Sequence, residues 1–163
     1  MKWLPHMFIT LIALGVLQSF YYYPQMPEIL ASHFDGSGEP NGWSTKTEFF
    51  ALYLMLLLMT AIIFIFVPRW AEQRANFGVK LPHREYWLAP ERIVQTRLFF
   101  RQQMLVMGMV HVVLAIDLVQ MVIQANFVPQ PRLDENIFWT LVVYLVVIIV
   151  WLIHFFLKFR KPG

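Results

Sequence analysis

Four apolar runs, each near the length that crosses a bilayer, constrain this chain more than any other feature. The first lies within residues 4–22 and includes MFITLIALGVL. The second, TEFFALYLMLLLMTAIIFIFV, fills 47–67. The third and fourth occupy 98–124 and 136–157. Roughly 20 apolar residues span the hydrocarbon core as a helix, and a helix satisfies its backbone groups without water. The runs therefore predict an all-α fold: an integral membrane bundle of four transmembrane helices with one structured extracytoplasmic loop. Residues 1–163 form a single domain, with helices at about 4–22, 46–67, 98–124 and 136–157. An outer loop covers 23–45 and an interfacial loop 68–97. Composition agrees, at 58% hydrophobic and 14% charged residues, against about 25% charged in soluble domains.

Local chemistry sets the ends of the spans. Lys2 and the apolar stretch after it read like a signal peptide. The bulky Phe20–Tyr23 run offers no small-x-small cleavage site, so an uncleaved anchor is expected. Pro5 suits a first helical turn, and Tyr21, Tyr22 and Tyr23 suit a membrane interface. Beyond Pro24 and Pro27, PEILASHF predicts a short amphipathic turn, and DGSGEPNG is rich in turn formers. Ser44 or Thr45 can cap the second helix, and Glu48 completes a capping box with Thr45. Pro68 is expected to end that helix. Ala89-Pro90-Glu91-Arg92 reads as the opening of the third. The β-branched run Val142–Val150 is carried in a segment long enough to span as helix.

Charge then predicts orientation. All but two of the 13 lysines and arginines lie at the amino end, in the middle loop through Arg101, or at the carboxyl end. The exceptions are Lys46 and Arg132. By the positive-inside rule both termini are cytoplasmic and the first and third loops lie outside, which for a bacterial inner (cytoplasmic) membrane means the periplasm or external medium. In the middle loop Arg69, Trp70, Arg74, Arg84, Tyr86, Trp87 and Arg92 interleave bases with aromatics. That pattern predicts a lipid-interface segment, aromatics toward lipid and bases toward headgroups, and not a nucleic-acid surface. There is no cysteine, which excludes disulfides, thiolate metal sites and cysteine nucleophiles. No phosphate loop, HExxH or nucleophile elbow is present. The expectation is a non-enzymatic protein with no cofactor.

Candidate contacts concentrate in the outer loop. His33, Asp35 and Glu39 could face a divalent ion, but no second histidine is near and the spacing fits no metal motif, so no metal site is assigned. The other reading has His33 and Asp35 capping turns and pairing with Lys46. In the third span Asp117, Gln120 and Gln124 follow i, i+3, i+7. They predict a polar cleft below the loop, lined by Asp117, Gln120 and the His33/Asp35 region. The competing reading is a helix–helix hydrogen bond, or an ion pair with Lys46 or Arg132. His111 lies about 240° around the helix from Asp117, which predicts an interhelical hydrogen bond and no relay between the two. The methionines Met104, Met107, Met109 and Met121 read as packing residues.

The stretch YPQMPEILASHFDGSGEPNGWSTK resembles a loop found in SdpI-type immunity proteins and a related membrane domain of unknown function. The pattern is LP-x-x-I-P-x-H-F-x-x-x-G-x-P-D-x-W-x-x-K. Pro24, Pro27, His33, Phe34, Gly38, Pro40, Gly42, Trp43 and Lys46 carry the match, and Asn41 stands where Asp is usual. LPHREYWLAPER is similar to the family's inner loop through Leu81, Pro82, Tyr86, Trp87, Pro90, Glu91 and Arg92. The resemblance implies a protein that binds or protects against an envelope partner, peptide or lipid, through its outer loop. Candidate partner contacts are His33, Asp35, Glu39, Trp43, Lys46, Asp117 and Gln120. Two other readings stand beside it. One is an accessory subunit of a membrane complex or a homo-oligomer. The other is a small transporter or membrane enzyme using Asp117 and His33.

Overall fold

The computed structural model describes residues 3–74 and 81–160. Lys2, Lys80 and Lys161, which enter the charge count, lie outside them. Helix α1 (Leu4–Tyr22) runs into a 3₁₀ turn, Tyr23–Gln25. Two strands follow, β1 (Ile29–Phe34) and β2 (Pro40–Thr45). Then come α2 (Lys46–Glu72), the short α3 (Arg84–Trp87), α4 (Ile93–Ala125) and α5 (Asn136–Arg160). Four of these helices are long and apolar enough to cross a membrane. The fold is the expected all-α membrane bundle, with one small two-stranded sheet.

That sheet corrects the reading of PEILASHF as an amphipathic turn. Its Ile29–Phe34 part is β1, paired antiparallel with β2 in the register Ile29↔Thr45, Leu30↔Ser44, Ala31↔Trp43, with irregularities on either side of His33. Pro27 keeps the chain from continuing as helix. The turn at Asp35–Gly38 folds it back on itself, and Leu30 and Ala31 are buried against the bundle. The two strands thus close the end of the bundle as a hairpin cap.

Pro68 does not end α2. The helix carries on to Glu72 with Pro68 inside it. Proline removes one backbone donor, but the last turn is anchored elsewhere. Glu72 is only 2% exposed and receives the guanidinium of Arg101 from α4, with Nε 2.8 and 2.7 Å from the two carboxylate oxygens. α4 begins at Ile93, directly after the Ala89–Arg92 opening read from the sequence and ahead of the apolar run. Its 33 residues make a helix about 50 Å long, well beyond the roughly 30 Å hydrocarbon core.

Three helices form the core. α4 packs against both α1 and α2, while α5 packs against α4. Phe8, Leu57, Val112 and Ile123 are fully buried between them. Two glycines allow the approach. A Cβ on Gly15 would lie 2.8 Å from the side chains of Tyr53 and Leu57, and one on Gly108 would lie 2.8 Å from Phe8 and Phe64. Lipid is as apolar as leucine, so such helices associate through close van der Waals contact at small residues and through interhelical hydrogen bonds.

Candidate functional site

The cap is built by local turn chemistry and then latched to the bundle. One Asp35 carboxylate oxygen accepts from the Ser37 amide (2.9 Å), the Ser37 hydroxyl (2.7 Å) and the Glu39 amide (3.1 Å). These bonds, the Ser37 hydroxyl first, hold the Asp35 carboxyl below the usual carboxylate range. Gly38 closes the turn at φ +82°, where a Cβ would stand 2.6 Å from the Leu133 carbonyl oxygen. The Leu133 amide donates to the Gly38 carbonyl at 2.9 Å, and Arg132 pairs with Glu39 at 3.5 Å. The hairpin tip is therefore tied to the segment between α4 and α5.

Lys46 pairs with Glu28 at 3.1 Å and lies 5.2 Å from the Tyr23 ring centroid. It does not pair with Asp35 or His33. His33 is exposed and covers Gly42, whose Cβ position lies 3.0 Å from that of His33. Thr45 and Glu48 form the capping box that starts α2 directly from β2.

The two edges of the sheet differ. On β1, Ala31 donates to Asn126 Oδ1 at 2.8 Å and accepts from Asn126 Nδ2 at 2.9 Å. The Asn126 amide thus stands where a third strand would pair. Directly after β2, Lys46 N donates to the Glu28 carbonyl at 3.0 Å, which makes that pair hydrogen-bonded. Antiparallel pairing alternates, so across the register Trp43, opposite Ala31, directs its N–H and C=O away from β1. The edge at Trp43 is open, and its indole is 55% exposed.

Below the cap the polar residues of the spans separate into two groups. Gln18 of α1 accepts from the Tyr53 hydroxyl (2.8 Å) and donates to Gln120 Oε1 (2.9 Å) and the Ile116 carbonyl (3.1 Å). Gln120 Nε2 donates to the Tyr22 hydroxyl (3.1 Å). This network joins α1, α2 and α4. Asp117 turns the other way and accepts from Thr140 of α5 at 3.0 Å. His111 pairs with the Tyr144 hydroxyl at 3.1 Å, its Nδ1 lying 2.8 Å from the Met107 carbonyl. The single cleft expected from Asp117, Gln120 and His33/Asp35 is not formed. α4 is contacted on two sides, so neighbours on one nominal face serve different partners. Asp117 and Tyr144 line an apolar groove of about 600 Å³ between α4 and α5, with Thr140 and Trp139. His33 does not line it.

The basic segment also departs from a simple interfacial strip. Trp70 is exposed, with Arg74 stacked 4.1 Å from its ring centroid, and Arg69 donates back to the Ile65 carbonyl. Arg84 is exposed. Trp87, however, packs edge-on against Phe159 at 5.4 Å, and Arg92 lies 3.9 Å from the Tyr86 ring centroid. Trp87 thus packs within the fold, and Tyr86 carries the Arg92 guanidinium.

Among the described residues no three His, Asp or Glu side chains group as a metal site. Gln18, Tyr53, Glu72 and Asn126 were not singled out from sequence. Gln18 and Tyr53 carried a signal, being polar groups inside apolar runs. Asn126 carried none, because its role depends on where the hairpin docks.

These features define a four-helix, membrane-type bundle closed at one end by a latched β-hairpin. Residues 9–60 match the model of a family described as a domain of unknown function (DUF1648). The match runs from α1 through the whole hairpin into α2. No curated protein and no solved structure matches the chain.

Proposed function

We propose that this is a membrane-embedded binding protein whose hairpin cap engages an extended peptide outside the cytoplasm. The observation that carries the reading is the asymmetry of the sheet. Asn126 closes one edge, while the other, at Trp43, is open beside an exposed aromatic. Strand addition supplies affinity through main-chain hydrogen bonds and specificity through neighbouring side chains. His33, which covers Gly42 beside Trp43, and Lys46, directly after β2, are the proposed orienting groups. The likeness to SdpI-type proteins and the cation distribution, with only Lys46 and Arg132 at this end, support the same reading.

The test is a photo-crosslinking amino acid at position 43, irradiated in cells, with a control at the outward-facing Leu145. Peptide or protein adducts at 43 and only lipid adducts at 145 are expected. Lipid adducts alone at both positions would sink the proposal, leaving Trp43 as an interface anchor.

A second reading, an accessory subunit of a larger membrane complex, draws on α5. No residue in its membrane-length window is buried, and the groove beside Asp117 opens along it. Purification in mild detergent separates the two: a stoichiometric helical partner lost on Asp117→Leu favours the subunit reading.

A further inference from the structure

A cavity of about 130 Å³ lies between the end of α3, the first turns of α4 and the end of α5. Trp87, Arg92, Gln95, Thr96 and Lys158 line it, over a floor of Phe99 and Phe159. Its polar groups are mostly donors. The Trp87 indole Nε1 is buried and has no acceptor, and a buried donor left unmade is costly. Thr96 is already committed, donating to the Trp87 carbonyl at 2.8 Å. Ion pairs among the described residues are Lys46–Glu28, Arg101–Glu72 and Arg132–Glu39. Neither Arg92 nor Lys158 takes part in one. Instead Arg92 lies over Tyr86, and the Lys158 ammonium lies 5.2 Å from the Trp87 ring centroid and 5.9 Å from that of Phe99. Glu85 and Glu91 are exposed and line no part of the cavity.

Two cations and an indole N–H thus face one small space that lacks an anion. The complement is a compact anion with several acceptor oxygens. His83 Nε2 meets the Arg160 carbonyl at 3.0 Å, tying the segment before α3 to the end of α5. That end of α5 also carries an apolar groove of about 450 Å³, from Pro82 and Arg160 along Leu152, Ile153, Phe156 and Leu157. We propose that the cavity binds the phosphate of an anionic phospholipid. Arg92 and Lys158 neutralise the charge, the Trp87 N–H donates to one oxygen, and the acyl chains follow the apolar surface of α5.

The experiment is native mass spectrometry, with thermal unfolding, of the full chain in detergent. Phosphatidylglycerol, phosphatidylcholine and inorganic phosphate are added in turn. One phosphatidylglycerol per chain should be retained and should raise the unfolding temperature, while the other two do neither. Arg92→Gln and Lys158→Gln should each weaken retention roughly tenfold, as loss of a charge-assisted hydrogen bond predicts. Arg74→Gln, which removes a cation away from the cavity, should leave retention unchanged. Trp87→Phe keeps the ring packing and removes the donor, so retention should fall even where the charge variants fold poorly. Equal losses in Arg74→Gln and Arg92→Gln would overturn the site in favour of diffuse attraction. Stabilisation by inorganic phosphate equal to that by phosphatidylglycerol would overturn the lipid assignment.

Discussion

The three-helix core and α5 are held together by different means. α1, α2 and α4 interlock through Gly15 and Gly108, bury Phe8, Leu57, Val112 and Ile123, and share the Gln18–Tyr53–Gln120–Tyr22 network. α5 has no buried residue in its membrane-length window. Its attachments are discrete: Thr140 to Asp117, Tyr144 to His111, and the aromatic cluster of Phe155 and Phe159 on Phe99. In a bilayer, where apolar surface gains little by leaving lipid, the difference is decisive. The core is specified by shape. α5 is specified by a few polar and aromatic contacts, and its outer surface is exposed along the membrane-length window.

The largest expected effect breaks the core. Arg101→Ala strands the buried Glu72 carboxylate. It should destabilise the protein by about 2–3 kcal/mol, below the roughly 3–5 of a fully enclosed pair because Arg101 is half exposed. Thermal unfolding in detergent measures it, and Glu72→Gln in the same background should recover part of the loss. Next, Gly108→Ala drives a methyl into Phe8 and Phe64 and should cost about 1–3 kcal/mol by overpacking. An unchanged unfolding temperature would mean that the core is not shape-limited.

Tyr144→Phe probes the other side of the comparison. It removes the hydroxyl that meets His111 and should cost only about 0.6 kcal/mol, typical of interhelical hydrogen bonds in membranes. Protease or labelling access to α5 should rise while the core stays folded. A cooperative loss as large as that of Gly108→Ala would erase the distinction between the two regions.

The smallest effect belongs to the cap. The folded Asp35 carboxyl lies below its ordinary value, so its contribution is fully present above the unfolded value of about 3.9. That contribution is lost as pH falls through the lower folded value. Trp43 fluorescence should report loosening of the hairpin over that acid range, and Asp35→Asn should remove the pH dependence.

Much of this was legible in the residues. Apolar run length located the spans, and Thr45 with Glu48 marked the start of α2, because both are local. His111 read as an interhelical bond, as found with Tyr144. The hairpin was not legible. PEILASHF has no clean alternation, and its strand character depends on β2 folding back and on Asn126 closing its edge, 95 residues away in sequence. The split of Asp117 from Gln120 was hidden for a similar reason. Helical periodicity says which residues share a face, but not how many neighbours that face meets.

What the sequence by itself determined is the membrane class, the number of apolar helices and the capping box that starts α2. Each follows from hydropathy, capping and backbone stereochemistry within a few residues. Tertiary structure alone decided the partner of each polar group: Lys46 with Glu28, Glu72 with Arg101, Asp117 with Thr140, Asn126 with Ala31. Such choices depend on which helices lie side by side, and a buried or half-buried polar group takes the partner that packing brings within reach.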